Sequence, residues 1–194
     1  SNISGSRDKY YDRINYETPE LNYGIGVNLE LNKNLSFEAT INPDFSQVES
    51  DATKIDINSP TAINYPEKRP FFNRGIDAMD YQLDVFYSRS INNPSFASKI
   101  INQGRKSRLY VLSAFDEETP YLVPTQFESF SGVGGKSFSN VIRYQNFLDS
   151  KTRVGLLASN RYYEGDAYGN LYGLDALVNF SDVWKFEFEL FLNN

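Results

Sequence analysis

The carboxylates Asp44, Glu49, Asp51 and Glu67, with the cations Lys68 and Arg69 directly after them, are the residues whose types and crowding could carry chemistry. Two carboxyl groups about 5–9 Å apart can run acid/base hydrolysis of a glycosidic bond. Asp44, Glu49, Asp51 and Asp56 could offer oxygen ligands to Ca²⁺, although their spacing matches no EF-hand loop. Tyr65, Tyr81 and Tyr87 could face a sugar or peptide beside them. The same groups have a plainer use. Charges withdrawn from water must satisfy one another, so Asp44, Glu49, Asp51, Glu67, Lys68, Arg69, Arg74 and Arg89 suit a plug or latch that pairs internally and with inward Glu30, Glu38 and Asp175. The latch is the leading expectation, with ligand binding, catalysis and calcium binding behind it in that order.

Absent residue types narrow the chemistry further. The 194 residues include no His and no Cys, which removes Ser-His-Asp and Cys-His catalysis, His-dependent zinc sites and any disulfide framework. A net charge of −6 opposes nucleic acid as a partner, because a phosphate backbone needs a basic face. Neither a cofactor nor a metal is expected. SGVGGKS at 131–137 lacks the spacing of a phosphate-binding loop and reads as a flexible extracellular or periplasmic loop. No apolar run is long enough for a transmembrane helix, and no basic stretch followed by an apolar one opens the chain. The start is expected to follow processing or to lie within a longer precursor.

These residues occupy a segment, 43–82, with no clear period. Prolines at 43, 60, 66 and 70 oppose a helix or a central strand, although a short helical turn within 44–58 is allowed. Phe45, Val48, Ile55, Ile57, Tyr65, Phe71 and Phe72 are too apolar for a linker, so the segment should fold against something. What flanks it alternates. Leu21, Tyr23, Ile25, Val27, Leu29 and Leu31 share one face, opposed by Asn22, Gly24, Gly26, Asn28 and Glu30. Asn32-Lys33-Asn34 reads as a turn, and Leu35 to Ile41 return as the second strand of a hairpin. Residues 171–180 and 184–194 repeat the design around a turn at Ser181-Asp182. Segments 85–90, 108–115, 140–148 and 153–160 are further strands, and Asp166, Tyr168, Gly169 and Asn170 read as a hairpin loop.

Two architectures compete for this pattern: a soluble antiparallel sandwich with an apolar core, and a transmembrane barrel with apolar residues toward lipid. Four features favour the barrel. The apolar runs have the length of a tilted membrane-crossing strand. Aromatics lie near strand ends, as at Tyr23, Tyr172, Phe180 and Trp184. The polar faces carry Gly and Asn more than the Lys and Glu of a solvated sheet. Finally, turns at 32–34 and 181–182 are short while connections at 43–82 and 116–137 are long, as at the two unequal ends of such barrels.

The stretches INPDFSQVESD (41–51), YPEKRPFFNRG (65–75) and VFYSRSI (85–91) are ordered as in a known family. The positions that carry the likeness are Asn42, Pro43, Asp44, Phe45, Gln47, Val48, Glu49 and Asp51, then Pro66 to Phe72, then Phe86, Tyr87, Ser88 and Arg89. With VGLLASNR at 154–161 and YGLDALVNF at 172–180, the chain from about residue 20 resembles uncharacterised outer-membrane β-barrel proteins of Gram-negative bacteria. In that family the barrel follows a periplasmic domain similar to a family-9 carbohydrate-binding module. One departure is Asn73-Arg74-Gly75, where the family carries Glu-Gly.

The resemblance implies an outer-membrane location and an all-β, antiparallel fold: part of a transmembrane barrel, about eight strands, with an inward or mouth-covering loop. Residues 1–194 would be the N-terminal portion of that barrel, with 1–20 as a lead-in and 43–82 as the plug-like loop. Expected partners are outer-membrane lipid, glycan and other outer-membrane proteins. Passage or surface handling of a glycan or other polymer is the expected role. The alternatives are a membrane-associated hydrolase using carboxylates of the 44–67 loop and a purely structural subunit of an outer-membrane complex.

Overall fold

The computed structural model describes residues 5–7, 14–16, 23–43, 67–79, 81, 88–124, 129–181 and 183–194. Two short strands, β1 (Gly5–Arg7) and β2 (Ile14–Tyr16), pair as an antiparallel ribbon. Alternation then builds β3 (Ile25–Glu30) and β4 (Leu35–Ile41) into the expected hairpin. Its turn is closed by Asn32, whose Oδ1 accepts the backbone N–H groups of Asn34 and Leu35 at 2.9 Å each. That local bond is why Asn suits the position.

β5 (Pro94–Gln103) and β6 (Ser107–Asp116) continue the sheet, followed after an excursion by β9 (Ser137–Phe147), β10 (Thr152–Tyr163), β11 (Tyr168–Asn179) and β12 (Lys185–Asn193). The excursion is a separate two-stranded hairpin, β7 (Pro120–Pro124) with β8 (Ser129–Val133). One eight-stranded antiparallel sheet results, in the order β12-β11-β10-β9-β6-β5-β4-β3. It is open: β3 and β12 are its two edges and are not paired with each other.

Several expectations change here. Residues 85–87 lie outside the described residues, and Ser88–Ser90 form a 3-10 turn rather than a strand. β5 was not expected; it opens on Pro94, where no ladder N–H is needed, and a register shift follows. The glycine-rich 131–137 stretch is the end of β8, a short turn and the first residue of β9. The β10–β11 turn is made by Gly165 (φ 93°) and Asp166 (φ 66°), so Gly169 and Asn170 are strand residues. Left-handed backbone at these two successive residues reverses the chain inside the loop closed by Tyr163 N–H to the Ala167 carbonyl, and glycine and Asp tolerate that conformation. Pro70 starts a single-turn helix, α1 (Pro70–Asn73), because at the first helical position its missing N–H goes unused. The allowed helical turn within 44–58 lies outside the described residues.

The two faces of the sheet have opposite compositions. One carries Ser36, Glu38, Thr40, Lys99, Ser137, Ser139, Arg143, Gln145 and Asp175, all buried. The other carries Ile25, Val27, Leu29, Ile100, Ile142, Leu156, Leu174, Leu190 and Leu192, all exposed. A soluble sandwich would reverse this. The small apolar core also lies on the polar face, where Phe72 and Ala78 of the 67–79 segment join Ile101, Tyr110, Leu112, Val141 and Leu157. Phe180 and Trp184 flank the last hairpin turn and Tyr23 precedes β3, whereas Tyr172 falls within β11.

Candidate functional site

The covered face becomes a site where residues 67–79 meet the sheet. Glu67 begins it. Its Oε1 accepts the backbone N–H and Nε–H of Arg69, both at 2.9 Å, and its Oε2 accepts Arg69 Nη2 at 2.8 Å and Ser88 Oγ at 2.6 Å. The Arg69 guanidinium donates onward to the carbonyls of Ile91 at 2.7 Å and Ser88 at 3.2 Å, and lies 4.2 Å over the Phe72 ring. Glu-Lys-Arg-Pro-Phe-Phe and the later Ser88 are therefore two halves of one buried knot. The bidentate fork of Arg meets a carboxylate two residues away, a geometry that Lys could not reproduce.

Burial pushes the Glu67 carboxyl up, but hydrogen bonds from Arg69 and Ser88 outweigh it and leave its pKa below the usual carboxylate value. Each carboxylate oxygen already accepts two donors. Glu67 thus has neither a proton to give nor a lone pair aimed at a substrate, and it does not suit general acid/base work.

Beyond the knot, cations of the sheet grip the backbone of the segment. Lys99 of β5, with a fully buried side chain, donates Nζ to the carbonyls of Phe71 and, at 2.9 Å, Arg74, and pairs with Glu38 of β4 at 3.2 Å. It also lies 4.7 Å from the Phe71 ring. Arg74 pairs with Glu38 at 2.7 Å and with exposed Glu30 at 3.7 Å. Gly75 follows at φ 81°, a left-handed turn that favours glycine and brings its backbone against Ile101 and Tyr110.

Arg143 of β9 donates Nε to the carbonyl of Ala78 at 3.0 Å and forms a two-pronged ion pair with Asp175 of β11. Gly155 on β10 lies between the strands that carry this pair, and a Cβ there would strike both the Arg143 guanidinium and an Asp175 oxygen. The Arg143 guanidinium also sits 4.5 Å over the ring of Tyr81, which packs edge-on against Phe191. Burial raises the Tyr81 hydroxyl pKa, keeping that ring neutral under the cation.

Within the described part of this segment Arg74 pairs with Glu38 and Glu30, two of the wall carboxylates named from the sequence. Glu67 pairs with its own neighbour Arg69, and the sheet cations Lys99 and Arg143 seek backbone carbonyls. Lys68 is exposed, and Arg89 falls in the Ser88–Ser90 turn. Asp44, Glu49, Asp51, Asp56, Tyr65, Tyr87 and the side chain of Arg89 lie outside the described residues. Among the described residues no group of His, Cys, Asp and Glu is arranged to hold a metal ion. Sequence reasoning missed Lys99, Arg143 and Gly155. Their signal was a charge or a glycine on the polar parity of a strand, but β5 itself had gone unread.

No curated protein and no solved structure matches the chain. A family described as a domain of unknown function (DUF5916) matches residues 4–110, which is more than half of the sequence and includes the Glu67–Arg69–Ser88 knot. The chain is a member of the DUF5916 family.

Proposed function

We propose that the sheet is a segment of the wall of an outer-membrane β-barrel, its apolar face toward lipid and its polar face toward the barrel interior. The observation that carries this is the inverted polarity: Arg143 and Lys99 are about 1% exposed while Ile25, Leu156 and Leu192 are more than half exposed. Apolar side chains ranked over so many strands would be an aggregation surface in water and are the ordinary outer surface of a barrel in lipid. The open edges β3 and β12 would then continue into further wall, since an unpaired edge is not tolerated in hydrocarbon.

Within this reading residues 67–79 brace the interior wall, and the role is passage or surface handling of a polar polymer such as a glycan. The saturated hydrogen bonding of Glu67 supports a structural role over hydrolysis. Detergent-free lysis followed by membrane fractionation tests the proposal. The protein should sediment with outer membranes and resist carbonate extraction; recovery in the soluble fraction would overturn it.

A further inference from the structure

A cavity of about 320 Å³ opens on the covered face beside the Ser88–Ser90 turn, with Ser139, Ser159, Arg161, Asn170 and Asn193 among its lining. Its place is set by the register. Ser139, Arg161 and Gly169 form one cross-strand row, and Val141, Ser159, Leu171 and Asn193 form the next. Among the described residues Arg161 is the single charged side chain of the lining.

The guanidinium is held rather than loose. Arg161 Nε donates to Ser139 Oγ at 2.6 Å and Nη2 to the Ser90 carbonyl at 2.9 Å. Among the described residues Nη1 has no acceptor. Asp116, the carboxylate whose field reaches Arg161, accepts instead from the backbone N–H groups of Asn92 at 2.9 Å and Asn93 at 2.6 Å. A fixed cation with a donor edge to spare, in a lining that mixes serines and asparagines with Ile91, Val141 and Leu171, favours an oxyanion over a neutral solute. The volume is at the lower end for ligand pockets and exceeds what a bare oxyanion fills.

We infer that this cavity binds a small hydroxylated oxyanion, a sugar acid or sugar phosphate. Its anionic group would meet Arg161, and its hydroxyls would meet Ser139, Ser159 and Asn193. The inference goes beyond a barrel wall and does not depend on it, because the cavity opens on the covered face wherever the other face is placed.

Calorimetric titration of the purified protein with glucuronate, glucose 6-phosphate, glucose and inorganic phosphate tests it. One or both sugar anions should bind at least ~10-fold more tightly than glucose and than phosphate, the margin of one charge-assisted hydrogen-bonded contact. Glucuronate alone marks a carboxylate ligand, and glucose 6-phosphate alone a phosphate ligand. Arg161→Gln should bring the sugar anion down to the level of glucose. Ser159→Leu, which fills the cavity but spares both Arg161 bonds, should abolish binding with an unchanged circular dichroism spectrum. Equal affinity for glucose, equal affinity for phosphate, no binding at all, or full binding by the folded Ser159→Leu variant would each overturn the inference.

Discussion

Ile142 and Arg143 are neighbours in β9, yet the isoleucine is 47% exposed and the arginine 1%. The same contrast recurs in β10, where Leu156 is open and Gly155 closes over an ion pair. Comparing the faces shows what each needs. The covered face buries charges and pairs most of them: Glu38 has Lys99 and Arg74, Asp175 has Arg143, and Glu67 has Arg69, while Asp116 accepts two backbone N–H groups instead. Such pairing offsets the desolvation that would otherwise exclude those groups. On the exposed face Ser113, Asn140 and Asn160 form a hydrogen-bond row and Asn146 donates to the Tyr144 hydroxyl, while leucines and isoleucines are left uncovered.

The covered face should be the fragile one. Arg143→Ala strands Asp175 in a buried site and frees the Ala78 carbonyl, and should cost about 3–5 kcal/mol in denaturant unfolding. Replacing Arg143 and Asp175 together by Met and Leu should restore much of that loss; an equally damaged double variant would show that the pair is not the unit that matters.

The exposed face separates two solvents. Leu174→Arg should cost about 2–4 kcal/mol if that face meets the middle of a bilayer. On a water-facing sheet it should change stability by no more than about 0.5 kcal/mol. Unfolding from vesicles measures the difference, and the smaller value would erase the contrast between the faces.

The smallest effect should come from the knot. Glu67→Gln removes the charge that Arg69 faces while keeping a similar shape, at a cost of about 1–3 kcal/mol. The folded pKa of Glu67 lies below its ordinary 4.5, so its contribution is complete above that value and disappears as pH falls through the folded pKa. Acid titration of stability should therefore show a loss starting near pH 4.5 that is reduced in the variant. Superimposable profiles would mean that Glu67 adds no pH-dependent stability.

Much of this was legible beforehand. The hairpins β3–β4 and β11–β12 follow from strict alternation and from Asn-rich or Ser-started turns, which are local causes. The charges of the 43–82 segment stood out as a group to be held together, and of that segment residues 43, 67–79 and 81 are described. β5 and the β7–β8 hairpin did not stand out. β5 interleaves Ala97, Lys99 and Ile101 with exposed Phe96 and Ile100, which blurs the alternation, and the glycines and prolines around β7 and β8 mimic a loop.

By itself the sequence determined the period of each strand, its parity and the absence of His and Cys chemistry, because these depend only on residue order and type. Which parity is covered was decided by tertiary structure, since it depends on where residues 67–79 come to rest. The partners of Lys99, Arg143 and Arg161 were decided there as well. Each reaches a carbonyl or carboxylate between 25 and 71 positions away, and spacing along a chain does not encode such distances.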